Sequence, residues 1–171
     1  MSNDSNTFGK IFLHLSWIIL IIGLGVFFHH YLEQKNNPNK NPFSQYEGGF
    51  IEVKLLRNNR NHYVATGAIN GQSVVFLIDT GATNVAIGNN LAKKLGLQRG
   101  REGIAYTANG TTPTFDTQLD SLQLGDIELN NVPASITMGM EGDEILLGMS
   151  ALKHLELNHR NGELTLRQLR R

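Results

Sequence analysis

Asp79, Thr80 and Gly81 stand at the end of an unbroken apolar run, 74–78, and Ala82 follows them. A carboxylate can take or give a proton, a threonine adds a hydroxyl, and a glycine lets backbone N–H groups approach the carboxylate unobstructed. The run reads as a buried strand. An unpaired carboxylate at the end of such a strand is costly, which marks Asp79 as a residue kept for chemistry. The plain alternative is a β-turn in which Asp79 bonds its own backbone. Apolar residues on both sides of the turn (Leu77, Ile78, Val85, Ile87) speak against an ordinary surface turn. A second apolar run, 145–147, ends in Gly148 and leads into a short helical pattern over 150–155.

Leu77-Ile78-Asp79-Thr80-Gly81-Ala82 and Leu146-Leu147-Gly148-Met149-Ser150-Ala151-Leu152 match, in order and spacing, two motifs of one family. The sequence resembles the retropepsin-like aspartic proteases, in particular their small membrane-anchored bacterial members, over residues 49–169. The resemblance implies an all-β fold, a retropepsin-like single-lobe acid protease barrel with one or two short helices, preceded here by one transmembrane helix. It implies Asp79 as the catalytic residue, with Thr80, Gly81 and Ala82 supporting its loop. Thr80 would bond across a two-fold axis. Leu146, Leu147 and Gly148 would form the closing strand. Ala82 stands where pepsin-type sites carry a Ser or Thr whose hydroxyl helps to stabilise the ionised Asp.

Such chemistry needs two carboxylates, one ionised to take a proton from water and one protonated to polarise the peptide carbonyl. The chain has one Asp-Thr-Gly and no internal repeat. Asp116, Asp120, Asp126 and Asp143 sit among polar or turn residues and read as solvated surface acids. A homodimer that sets Asp79 beside its symmetry mate supplies the pair. The expected activity is therefore that of a membrane-anchored aspartic endopeptidase acting on a protein or peptide substrate. Two rivals are a non-catalytic peptide-binding module of the same fold and a structural β-domain with Asp79 in a plain turn.

No metal site and no cofactor are expected. Cysteine is absent, the six histidines are scattered without ligand spacing, and there is no phosphate-binding glycine loop or serine nucleophile elbow. Lys+Arg and Asp+Glu are 15 each, so no excess charge points to nucleic acid.

Several elements must position the site. Alternation predicts a strand over 51–55, and Asn70-Gly71 predicts a hairpin between 62–69 and 72–78. A short helix is expected over 89–95, closed by Gly96. Strands are expected over 103–107 and 112–119, joined by Ala108-Asn109-Gly110-Thr111, then over 122–129, 132–136 and 163–169. The hairpin around Asn109-Gly110 lies between the two motifs, where a retropepsin flap would be. Tyr106, Thr107, Asn109 and Gly110 are its candidate substrate contacts, with an ordinary surface hairpin as the alternative.

Residues 1–10 form a tail, 11–32 the membrane span, 33–45 an Asn/Pro-rich tether and 46–171 the protease domain. The run 11–28 carries no formal charge and suits one spanning helix better than a signal peptide, whose end would carry small residues. A buried core helix would show a polar face. Lys10 before the span against Lys35 and Lys40 after it favours a cytoplasmic domain. The family resemblance implies the opposite, a bacterial inner-membrane protein with its protease domain in the periplasm.

Overall fold

The computed structural model describes residues 4–107 and 110–170. The chain divides into two compact units, Met1–Asn36 and Asn37–Arg171. The first holds one helix, α1 (Asp4–Asn36), and its stretch Phe12–Asn36 is long and apolar enough to cross a membrane. The helix overruns the expected span of 11–32 at both ends. Residues 33–36 carry no helix breaker, and the first proline, Pro38, disfavours helical backbone at Asn37.

The expected tether, 33–45, is divided differently in the structure. Residues 33–36 finish α1, Asn37 and Asn39 are buried in the second unit, and Ser44 opens a strand. Asn39 also makes a parallel bridge to Ala65. The composition suggested a solvated linker, but asparagine amides are short enough to dock on strands: Asn39 bonds the backbone of Leu56 and Val64, and Asn37 the Thr66 hydroxyl.

The second unit is built mostly from strands. Gly48-Gly49 turns β1 (Ser44–Glu47) into β2 (Phe50–Leu56), both glycines with positive φ. Asn70-Gly71, with φ of 49° and 76°, joins β3 (Val64–Ile69) to β4 (Gln72–Ile78), as the sequence predicts. Then follow β5 (Val85–Gly88), α2 (Asn89–Lys94), β6 (Glu102–Thr107), β7 (Gly110–Leu124) and β8 (Ile127–Thr137). The chain ends with β9 (Glu144–Leu147), α3 (Met149–Leu152), β10 (Glu156–Arg160) and β11 (Glu163–Leu169). The single strand expected over 122–129 is corrected: Gly125, with φ of 57°, and Asp126 turn β7 into β8 there. Strands β1, β5 and β10 were not foreseen.

One sheet runs β3-β4-β9-β5-β8-β7-β6, and a further pairing of β3 with β7 closes all but β6 into a barrel. Pairs β4–β9 and β5–β8 are parallel. Gly67 permits the closure, because a Cβ there would run into the Gln123 carbonyl and the Phe76 ring. A second sheet, β1-β2-β11-β10, lays one face on the barrel. Its Val53, Leu55, Leu164 and Leu166 join Phe76, Ile87, Leu119, Ile136, Ile145 and Leu147 in one core. Each such side chain contributes about 1.5–3 kcal/mol by leaving water.

Candidate active site

Strand β4 carries Asp79 to the edge of the core. The Asp79 N–H donates to the Leu147 carbonyl at 3.1 Å, continuing the parallel ladder in which Leu77 pairs with Leu146 and Ile78 with Leu147. The chain then turns. Ala82 N–H donates to the Asp79 carbonyl at 3.3 Å, and Gly81 N–H donates to Asp79 Oδ1 at 2.9 Å. A Cβ on Gly81 would lie 3.2 Å from that oxygen, so glycine lets the loop fold this closely around the carboxylate.

The closing motif braces the loop from the other side. Met149 N–H donates to the Ala82 carbonyl at 2.8 Å, and Ser150 N–H to the Thr83 carbonyl at 2.9 Å. Gly148 is required at the crossing, since a Cβ would collide with the carbonyl oxygens of Asn84 and Ala82. The structure thus brings Asp79, Thr80, Gly81 and Ala82 together with Leu146, Leu147 and Gly148. Leu147 is buried and Leu146 half-buried.

Ser150 was missed by sequence reading as a site residue. Its buried hydroxyl accepts the Val85 N–H at 2.9 Å and ties the far end of the loop to α3. A small polar residue just after Gly148-Met149 is the only signal, and serine is too common at helix starts for that to stand out.

One expectation is corrected. Asp79 is half-buried in this chain, not buried, and Thr80, Gly81 and Thr83 are exposed. The carboxylate lies beyond the last core residue of β4, where the loop leaves the barrel and the chain's own apolar residues no longer cover it. Asp116, Asp120, Asp126 and Asp143 are exposed, three of them already engaged: Asp116 with Arg101, Asp126 with Tyr46 and Asp143 with Lys94.

The expected flap is the β6–β7 hairpin, with Tyr106 opposite Thr111 and Thr107 opposite Gly110. Tyr106 is 87% exposed and Ile104 66%, an apolar pair offered to solvent. Thr107 Oγ1 donates to the Gly110 carbonyl at 2.8 Å, closing the hairpin end. Asn109, the remaining candidate contact, lies outside the described residues. Among the described residues no group of three or more His, Cys, Asp or Glu side chains could hold a metal ion.

The model of the gag-polyprotein putative aspartyl protease family matches residues 65–154, which takes in both motifs and the hairpin between them. The chain belongs to that family. Its fold is retropepsin-like: it is similar to the crystal structure of a retropepsin-like aspartic protease from Rickettsia conorii, with a TM-score of 0.57 and 29% identity. The likeness covers 67% of this chain and 98% of that one. Two uncharacterised bacterial proteins are also similar in sequence. One, from a Sinorhizobium species, is 34% identical over 123 residues, 70% of this chain and 53% of its own length. The other, from Rickettsia prowazekii, is 29% identical over 110 residues, 61% of this chain and 46% of its own. The chain thus spans about half the length of these curated relatives.

Proposed function

We propose that this chain is a membrane-anchored aspartic endopeptidase that works as a homodimer, with Asp79 and its symmetry mate as the catalytic pair. One observation carries the reading. The backbone around Asp79 is pinned by β9 and α3, while its carboxylate accepts the Gly81 N–H and stays open to the outside. A rigid loop that leaves its one acid only partly covered suits a partner that supplies the rest of the cover and a second acid.

Two carboxylates in contact hold one proton between them, because like charges repel. The ionised member takes a proton from a bound water as its oxygen adds to the peptide carbonyl carbon. The protonated member gives its proton to the carbonyl oxygen. Collapse of the tetrahedral intermediate breaks the C–N bond: the amine leaves with a proton from the pair, and a hydroxyl of the intermediate returns one proton to the pair as the carboxyl product forms. Thr80 supports the loop across the axis. The substrate is a protein or peptide held between subunits beneath the two β6–β7 hairpins, where Tyr106, Thr107, Asn109 and Gly110 would touch it. Helix α1 anchors the protein in a bacterial inner membrane, with the barrel in the periplasm.

Full-length protein in detergent, assayed on a peptide library alongside its Asp79→Asn variant, tests this. Cleavage by the wild type that disappears in a folded variant is expected, with sedimentation giving a dimer. Peptide capture without cleavage would leave a binding module instead. Undiminished cleavage by Asp79→Asn would refute the assignment.

A further inference from the structure

The junction between α1 and the barrel contains no free chain. Helix α1 ends at Asn36, and Asn37 is only 9% exposed, its amide donating to Thr66 Oγ1 at 2.9 Å. Asn39, 6% exposed, donates through Nδ2 to the carbonyls of Leu56 and Val64 and accepts the Leu56 N–H. Its own N–H goes to Asn37 Oδ1, and its carbonyl accepts the Thr66 N–H. Further on, Ser44 Oγ accepts the Asp126 N–H, and the Tyr46 hydroxyl donates to Asp126 Oδ2. Residues 40–43 therefore lie between two docked points. Pulling Asn39 free would take this partner from the Leu56 and Val64 backbone groups, at about 1–3 kcal/mol for each one left buried and unbonded.

We propose that this slack-free attachment sets the substrate class: polypeptides fixed in the same membrane and cut at sites close to its surface. The proposal rests on the reading of α1 as a membrane span and of Asp79 as catalytic. Residues 11–28 fill the hydrocarbon layer, and 29–36 add about 12 Å of helix beyond it at 1.5 Å per residue. A unit of this size is about 35–40 Å across. In any orientation of the barrel, chain length alone keeps the catalytic carboxylate within roughly 50 Å of the hydrocarbon boundary. A free tether of 33–45 would have added up to about 45 Å when extended, nearly doubling the reach. A soluble polypeptide gains nothing from the anchor. One fixed in the bilayer shares a thin layer with the enzyme, which raises its effective concentration when its cut site lies in that layer.

The test uses full-length protein in vesicles of phosphatidylethanolamine and phosphatidylglycerol. Two single-span reporter polypeptides carry one library-selected cleavable sequence, either directly after the span or beyond a rigid helical spacer of about 60 residues, roughly 90 Å. The near reporter should be cut at least about tenfold faster. Inserting about 60 Gly/Ser residues between Asn36 and Asn37 should bring the two rates together by adding roughly 40–50 Å of flexible chain. The rate on a soluble peptide should stay the same, which also shows that the variant folds. Equal rates on both reporters with the wild type, or a preference that survives the insertion, would overturn the proposal. Release of the protein by alkaline carbonate would overturn it through the anchor. A soluble peptide left uncut by the wild type would overturn it through the catalytic assignment.

Discussion

Asp79 and Asn39 differ by little more than an amide for a carboxylate, yet the fold treats them in opposite ways. Asn39 is 6% exposed, and its side chain and backbone bond Leu56, Val64, Thr66 and Asn37. Asp79 is half-buried and accepts one loop N–H on Oδ1. A polar side chain whose bonding capacity is used up holds strands together. One that is firmly positioned and still open has capacity left for a substrate or a second carboxylate.

Substitutions at the two positions should separate in what they damage. Asp79→Asn has the largest effect: peptide cleavage falls at least about 10³-fold, the scale of lost acid–base catalysis. Its denaturant midpoint should stay where it was, because an amide oxygen can still accept the Gly81 N–H. A large loss of stability in that variant would break the contrast. Asn39→Ala should do the reverse, costing about 2–4 kcal/mol in urea melts as backbone groups of β2 and β3, part-buried at Leu56 and buried at Val64, lose their partner. The rate per folded molecule on a soluble peptide should be kept.

Ser150→Ala sharpens the comparison, since Ser150 is buried like Asn39 but braces the loop of Asp79. The orphaned Val85 N–H should cost about 1–3 kcal/mol, and peptide turnover by the folded fraction should fall as well. Tyr46→Phe is the mildest change. Asp126, accepting its hydroxyl hydrogen and adding its charge, raises the tyrosine above its usual value near 10. Folding therefore favours the protonated phenol. That contribution is fully present below the unfolded value and is lost as pH rises through the folded one. The melting temperatures of wild type and Tyr46→Phe should differ slightly at neutral pH and converge in strong alkali.

The loop at Asp79 and its crossing with Gly148 were legible because their signals are local. Asp79 closes an apolar run, Gly148 closes another, and Asn70-Gly71 forces a two-residue turn. The same signal was present at Gly48-Gly49 and Asn161-Gly162, whose positive φ values make the β1–β2 and β10–β11 hairpins. There it was masked, by a polar neighbourhood in one case and an all-exposed strand in the other. The turn at Gly125-Asp126 was read through because Leu122 pairs with Leu129 and Leu124 with Ile127, so apolar residues continue on both sides. Asn37 and Asn39 looked like linker residues because their partners lie up to 29 positions away, and no local pattern marks such bonds. The openness of Asp79 was illegible for a different reason. Apolar neighbours in sequence imply cover, but they turn inward and leave the loop bare.

The barrel closes through two short ladders. Strand β3 meets β7 only at Ala68–Gln123 and Ile69–Leu122, and β5 meets β9 only at Ala86–Leu146. The circle is thus two arcs, β3-β4-β9 and β5-β8-β7, with weak joints between them. The loop from Asp79 to Asn84 bridges one joint, and the bonds from Met149, Ser150 and Val85 rivet it in place. Any breathing of one arc against the other is delivered to the carboxylate, so the stiffness of that hinge governs how steadily the acid can be aimed.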